Sequence, residues 1–144
     1  MATLEQLEND VWPEPKAPTR LVATCHRLRK KEIAKFSIED MRILVGQGIG
    51  LAHLVPLVLA MLERDSLAAG DFYPGDLLQA LTRNSNWQAI EGWSSRVEAI
   101  CRDAIARLPA DSPASEIDGE RGLPLERVLA NNFHTYLNRR SHAH

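Results

Sequence analysis

Apolar positions along the chain recur every three or four residues, and strand-like alternation is almost absent, so the pattern predicts helices throughout. Thr3 stands three residues ahead of Gln6, the spacing of a capping box, and opens a short helix TLEQLEND with Leu4 and Leu7 on one edge. Pro13, Pro15 and Pro18 force an extended connector after it. Thr19 caps a second helix with Leu21, Val22, Cys25 and Leu28 as its apolar face. Arg20, Arg27, Arg29, Lys30 and Lys31 fall on its other faces or in its last turn, where cations suit the helix dipole. Ser37 caps a third helix, with Asp40 in the capping-box position and Ile38, Met41, Ile43, Leu44 and Val45 as the buried set. Gly46, Gly48 and Gly50 end that helix in a tight reversal.

The fourth helix, Leu51 to about Arg64, is apolar nearly all round and is expected at the centre of the core. Pro56 within it removes one backbone donor or imposes a kink. The turn Gly70-Asp71-Phe72-Tyr73-Pro74-Gly75-Asp76 follows, and Pro74 is expected to open a fifth helix reaching Thr82. A sixth is predicted from Ser85 or Asn86 to Leu108, with Trp87, Ile90, Val97, Ile100, Cys101, Ala104, Ile105 and Leu108 as its stripe. Residues 109–122 have the composition of a surface loop. A last helix opens at Leu123-Pro124 and carries Leu125, Val128, Leu129, Phe133 and Leu137, and residues 141–144 read as a frayed tail. The prediction is an all-α fold: one compact domain, 1–144, of six to eight helices around a central apolar helix, with 1–18 as a short helix plus proline-rich connector.

Length and composition agree with this. A chain of 144 residues, 44% hydrophobic and 25% charged, suits one soluble core. The longest apolar run, Ile49 to Leu62, spans roughly 21 Å as a helix, short of the ~30 Å hydrocarbon core of a membrane. The start MATLEQLENDVW has neither a basic nor an apolar signal region, so a cytoplasmic protein is expected. The net charge of -2 calls for neither nucleic acid nor an anionic membrane, but it is unevenly placed. Residues 1–18 carry four acids and one base, residues 19–35 six bases and one acid, and residues 36–82 six acids and two bases.

Few residues carry chemistry. Cys25 and Cys101 both fall in helical apolar patterns, where a thiol behaves as a small hydrophobe. Gly46-Gln47-Gly48-Ile49-Gly50 follows no strand and precedes no Lys-Ser/Thr, so it is a helix joint rather than a phosphate loop. His26, His53, His134, His142 and His144 lack zinc-ligand spacing, and no metal or other cofactor is expected. An enzyme would need Cys25 or His53 joined to a second polar group, and no complete constellation is present. The basic run Arg27 to Lys31 suggests phosphate contacts, and Ser37 to Leu62 can be drawn as a helix-turn-helix of a small DNA-binding regulator. Its second helix is far too apolar for a groove. The acids Glu5, Glu8, Asp10 and Glu14 around Trp12, and Asp71 and Asp76 around Phe72-Tyr73, have what docking on a basic partner requires: aromatic area with carboxylates to steer association.

The segments LEQLENDVW, LVATCHRLRKK, FSIEDMRILVGQGIGLAHLVPLVLAML and GDFYPGDLL, in that order, resemble the immunity proteins of contact-dependent growth inhibition (CDI) systems. The chain from Asn84 onward resembles no family. The resemblance implies a small bacterial cytoplasmic protein, not itself an enzyme. Such a protein binds the C-terminal toxin domain delivered by a neighbouring cell, often a nuclease, and blocks it. A monomer in a 1:1 complex is expected, with no direct nucleic acid or membrane contact. The resemblance supplies no site residues. Chemistry points to Glu8, Asp10, Trp12, Asp71, Tyr73 and Asp76 as toxin-binding, with Trp87, Trp93, Asp118 and Glu120 as the alternative in the unmatched half. Exchanging Asp71 and Asp76 together for Lys is expected to weaken protection without unfolding the domain.

Overall fold

A computed structural model describes residues 2–83, 92–108 and 125–142. Seven α-helices and one short 3-10 turn, Ile33–Lys35, lie among them, with no strand beyond a single bridge between Ala69 and Pro74. The helices are α1 (Leu4–Glu8), α2 (Arg20–Arg29), α3 (Ile38–Gly46), α4 (Leu51–Arg64), α5 (Asp76–Arg83), α6 (Ser94–Arg107) and α7 (Leu125–His142). The all-α expectation holds.

The first three helices start where their caps place them. Thr3 and Ser37 each complete a capping box, with Gln6 and Asp40 returning to the cap backbone, and the Thr19 hydroxyl accepts the Val22 N–H. Between α3 and α4, Gly48 and Gly50 take positive φ, 72° and 67°. Gly50 is also sterically obligatory, because a Cβ there would meet the buried Leu4 side chain at 2.8 Å. The joint therefore docks α1 as well as reversing the chain.

Three boundaries and faces differ from expectation. α5 begins at Asp76, not Pro74, because Gly75 at φ 94° sits outside the helical region. α6 begins at Ser94, because Gly92 at φ 96° stops a helix from passing through it; the predicted start at Ser85 or Asn86 lies outside the described residues. On α2 the buried face is Cys25, Leu28 and Arg29, while Leu21 and Val22 are 43% and 40% exposed. The 109–122 loop lies outside the described residues, and α7 continues through Ser141 and His142.

The core gathers Leu44 and Val45 of α3, Leu54, Val55, Val58, Leu59 and Leu62 of α4, and Leu77, Leu78 and Leu81 of α5. Val97, Cys101 and Ala104 of α6 and Leu129 and Phe133 of α7 close it. Each such large apolar side chain contributes about 1.5–3 kcal/mol by leaving water. α5 is the most tightly enclosed element, packed between α3 and α7. Burial of α4 is one-sided: five of its side chains are sealed in the core, yet Leu57 is 41% exposed and Ala52 and Ala60 are exposed. Pro56 sits on that open side, so the carbonyl of Ala52, which loses its helical donor, belongs to an exposed residue and can be met by water.

Candidate functional site

Three features of the surface are built from specific side chains. The first forms around Arg29. This guanidinium is only 1% exposed. It donates to the Glu8 carboxylate at 2.6 Å and to the Asp10 carbonyl oxygen at 2.9 Å, and it stacks 4.2 Å above the Trp12 ring. His26 meets the same ring edge-on. Glu8, Asp10 and Trp12 are thus brought together, through a buried cation inside the molecule. The Asp10 carboxylate is exposed, Glu8 is partly exposed and Trp12 is half-buried.

The second is the turn 70–76. Asp76, the first residue of α5, is 3% exposed. Its Oδ1 accepts the Gly70 N–H at 2.6 Å, and its Oδ2 accepts the Phe72 and Tyr73 N–H groups at 3.1 and 3.5 Å. Asp76 therefore organises the turn from inside and presents no carboxylate to a partner. The double exchange of Asp71 and Asp76 for Lys is therefore expected to destabilise the fold, since it strips three amides of their acceptor and buries an ammonium. Glu39 of α3 braces the same turn, accepting the Arg42 Nε at 2.6 Å and the Asp71 N–H at 2.9 Å. The Arg42 hydrogen bond holds the Glu39 carboxyl below its ordinary pKa, and Glu39 in turn raises Arg42. Arg42 also lies 4.5 Å over the Phe72 ring. Tyr73 is half-buried and its hydroxyl donates to Gln79 Oε1. What the turn shows to solvent is the Asp71 carboxylate and Phe72, 67% exposed.

The third is an open groove of about 630 Å³ along the uncovered side of α4. Leu7, Ile33, Phe36, Leu57, Ala60 and Met61 give it an apolar floor and walls, and His53 and Arg64 supply its polar atoms.

Arg42 and the groove were not singled out from sequence, and Phe72 was read as docking aromatic area but not placed in the toxin-binding set. Arg29 has a readable signal, because it follows Cys25 by four residues and so shares its face. Arg42 has only the i,i+3 pair with Glu39 as a signal, since Phe72, which it covers, lies thirty residues on. Trp93 is half-buried with the Arg96 guanidinium 5.4 Å over its ring, while Trp87, Asp118 and Glu120 lie outside the described residues.

The basic run of α2 is largely spent internally. Arg29 is buried, Lys30 pairs with Glu14 at 2.8 Å and Lys31 with Asp40 at 2.7 Å. Little of it is left to meet phosphates, and α4, the would-be recognition helix, has one face sealed in the core. Nor is Cys25 poised as a nucleophile: burial raises its thiol pKa, and burial pushes Cys101 up to about 12.

The model of the CDI immunity protein family matches residues 6–97, well over half of the chain. No curated protein and no solved structure matches it. The matched span holds the end of α1 from Gln6, all of α2 to α5 and the first turn of α6, and with them the Arg29 cluster, the 70–76 turn and nearly all of the groove.

Proposed function

Because the chain belongs to the CDI immunity protein family, we propose that it protects its cell by binding the C-terminal domain of a cognate nuclease toxin in a 1:1 complex, without itself catalysing a reaction. The observation that carries this reading is the family match across residues 6–97. The surface supports the nuclease class. Asp10 and Asp71 project carboxylates beside Trp12 and Phe72, with Glu8 held against Arg29 behind them, and an aromatic with flanking acids suits the basic substrate cleft of a nuclease. In this reading Tyr73 and Asp76 contribute by holding the Asp71–Phe72 tip in shape. The protein works where a delivered toxin acts, in the cytoplasm; among the described residues no helix is long and apolar enough to cross a membrane.

The test is co-purification with the C-terminal domain of the protein encoded immediately upstream, followed by a nuclease assay at increasing immunity protein. A stoichiometric complex that abolishes cleavage of tRNA or DNA is the expected result. Failure to form any complex sinks the proposal, and a complex with a toxin that cuts no nucleic acid sinks its nuclease part. Acidic steering further requires that the association rate fall with salt, so a rate unchanged between 50 and 500 mM, chosen to span Debye lengths of roughly 14 to 4 Å, removes that element.

A further inference from the structure

The open side of α4 is at odds with the composition of the helix. A stretch apolar nearly all round is expected to be covered all round, yet Pro56, Leu57, Ala60 and Met61 line an open groove together with Leu7, Ile33 and Phe36. The shape is wrong for a small molecule, which needs an enclosing site with several converging polar groups. Here the groove is open along one side, and only His53 and Arg64 contribute polar side chains to its lining. The charge is one-sided as well. Among the described residues no carboxylate lines the groove. The acids flanking Arg64 are engaged elsewhere, Glu63 with Arg96 of α6 and Asp65 with Arg107 of α6. Arg64 is exposed at the groove's end with no ion pair among the described residues, although the chain as a whole is acidic.

We infer that this groove seats an apolar segment of the toxin domain that carries a carboxylate at the end facing Arg64. The inference rests on the immunity reading and adds a second, chemically opposite contact to it. The acidic tips meet basic toxin surface, while the groove takes apolar side chains and one acid. Leu57 and Met61 supply the desolvated centre of such a contact, and Arg64 fixes the direction in which the segment lies.

The experiment measures Kd by titration calorimetry between the full chain and the toxin domain encoded immediately upstream. Ala60→Arg fills the groove and Leu57→Asp makes it polar; both positions are exposed, so the fold is retained, checked by circular dichroism and Tm. Each is expected to weaken binding at least 100-fold. Arg64→Glu is expected to weaken it at least tenfold, and Arg64→Lys to stay within about threefold of wild type, because a charge rather than a shape is required. Wild-type binding with Ala60→Arg and Leu57→Asp both within twofold overturns the groove alone and leaves the immunity reading standing. A wild type that binds no toxin overturns both. A dimer of the free chain that Leu57→Asp dissolves, with toxin affinity unchanged, assigns the groove to a second copy and also overturns the inference.

Discussion

Replacing Arg29 by Ala tests whether the N-terminal segment is held by one buried cation. The substitution removes the charge-assisted hydrogen bond to Glu8, the bond to the Asp10 carbonyl oxygen and the stack on Trp12. The first is worth roughly 1.5 kcal/mol, the second about 1 and the stack about 1. Truncating a side chain in a closed site adds a cavity worth roughly 1–2 kcal/mol. Glu8 is still 31% exposed and rehydrates once its partner is gone, so the full cost of a stranded buried charge does not apply. The expected loss is about 5 kcal/mol, roughly three to four orders of magnitude in the folded-to-unfolded ratio. Arg29→Met keeps the apolar stem and removes the buried Nε, which has no hydrogen-bond partner, so it should cost about 1–2 kcal/mol less than Ala. Urea denaturation gives these differences. Trypsin gives the local one: cleavage after Lys16, in the connector that Arg29 tethers through Asp10 and Trp12, should accelerate under native conditions. A stability change below 1 kcal/mol for Arg29→Ala, with cleavage at Lys16 unchanged, would refute the tether and with it the view that Glu8, Asp10 and Trp12 are fixed as a unit.

Gly70→Ala should destabilise by about 1–3 kcal/mol, since its Cβ would stand 2.4 Å from Glu39 Oε1 and force the carboxylate off Arg42 or the Asp71 amide; thermal melts decide it. Asp76→Ala should cost about 2–4 kcal/mol by orphaning the amides of Gly70, Phe72 and Tyr73, whereas Asp71→Lys should leave Tm unchanged and lower the toxin association rate at low salt. Stability should fall in acid. The folded-state pKa of Glu39 is depressed from its ordinary 4.5 by the Arg42 hydrogen bond, so its contribution is complete above that value and is lost as pH drops through the folded pKa. Glu39→Gln should accordingly flatten the fall of stability below pH 4.5, and an unchanged acid profile would contradict the assignment.

Much of the fold was legible because it is written in local chemistry. Thr3, Thr19 and Ser37 each announce a helix by a hydrogen bond made within three residues, and Gly48 and Gly50 announce the reversal by conformation alone. Where reading failed, a distant partner or a glycine had intervened. Periodicity cannot show that Gly75 and Gly92 lie outside the right-handed region, so it opens α5 at Pro74 and carries the α6 pattern through Gly92. On α2, Leu21 and Val22 look as buried as Cys25 and Leu28 until the tertiary position of Arg29 is known, because the connector covers only the far turn of that helix.

The candidate site was legible to a different degree. The acids and aromatics of 8–12 and 71–76 do cluster, but sequence cannot say which member faces out. Asp71 and Asp76 are equivalent on paper. In the fold, the residue that opens α5 turns inward to collect the amides of the loop, and the one at the tip is left in water. That division follows from chain direction, since only a carboxylate at the helix start lies within reach of the amides of Gly70, Phe72 and Tyr73 together. The groove was illegible for a complementary reason. A helix that is apolar on every face says that something covers every face, but not whether the cover comes from its own chain. In α4 the described residues leave Leu57 and Ala60 exposed, and the apolar strip runs to Arg64, whose flanking acids Glu63 and Asp65 are held by arginines of α6. Local pattern fixes that α4 is apolar, but only the tertiary position of its neighbours decides which of its faces stays open, and those neighbours are named nowhere in the helix itself.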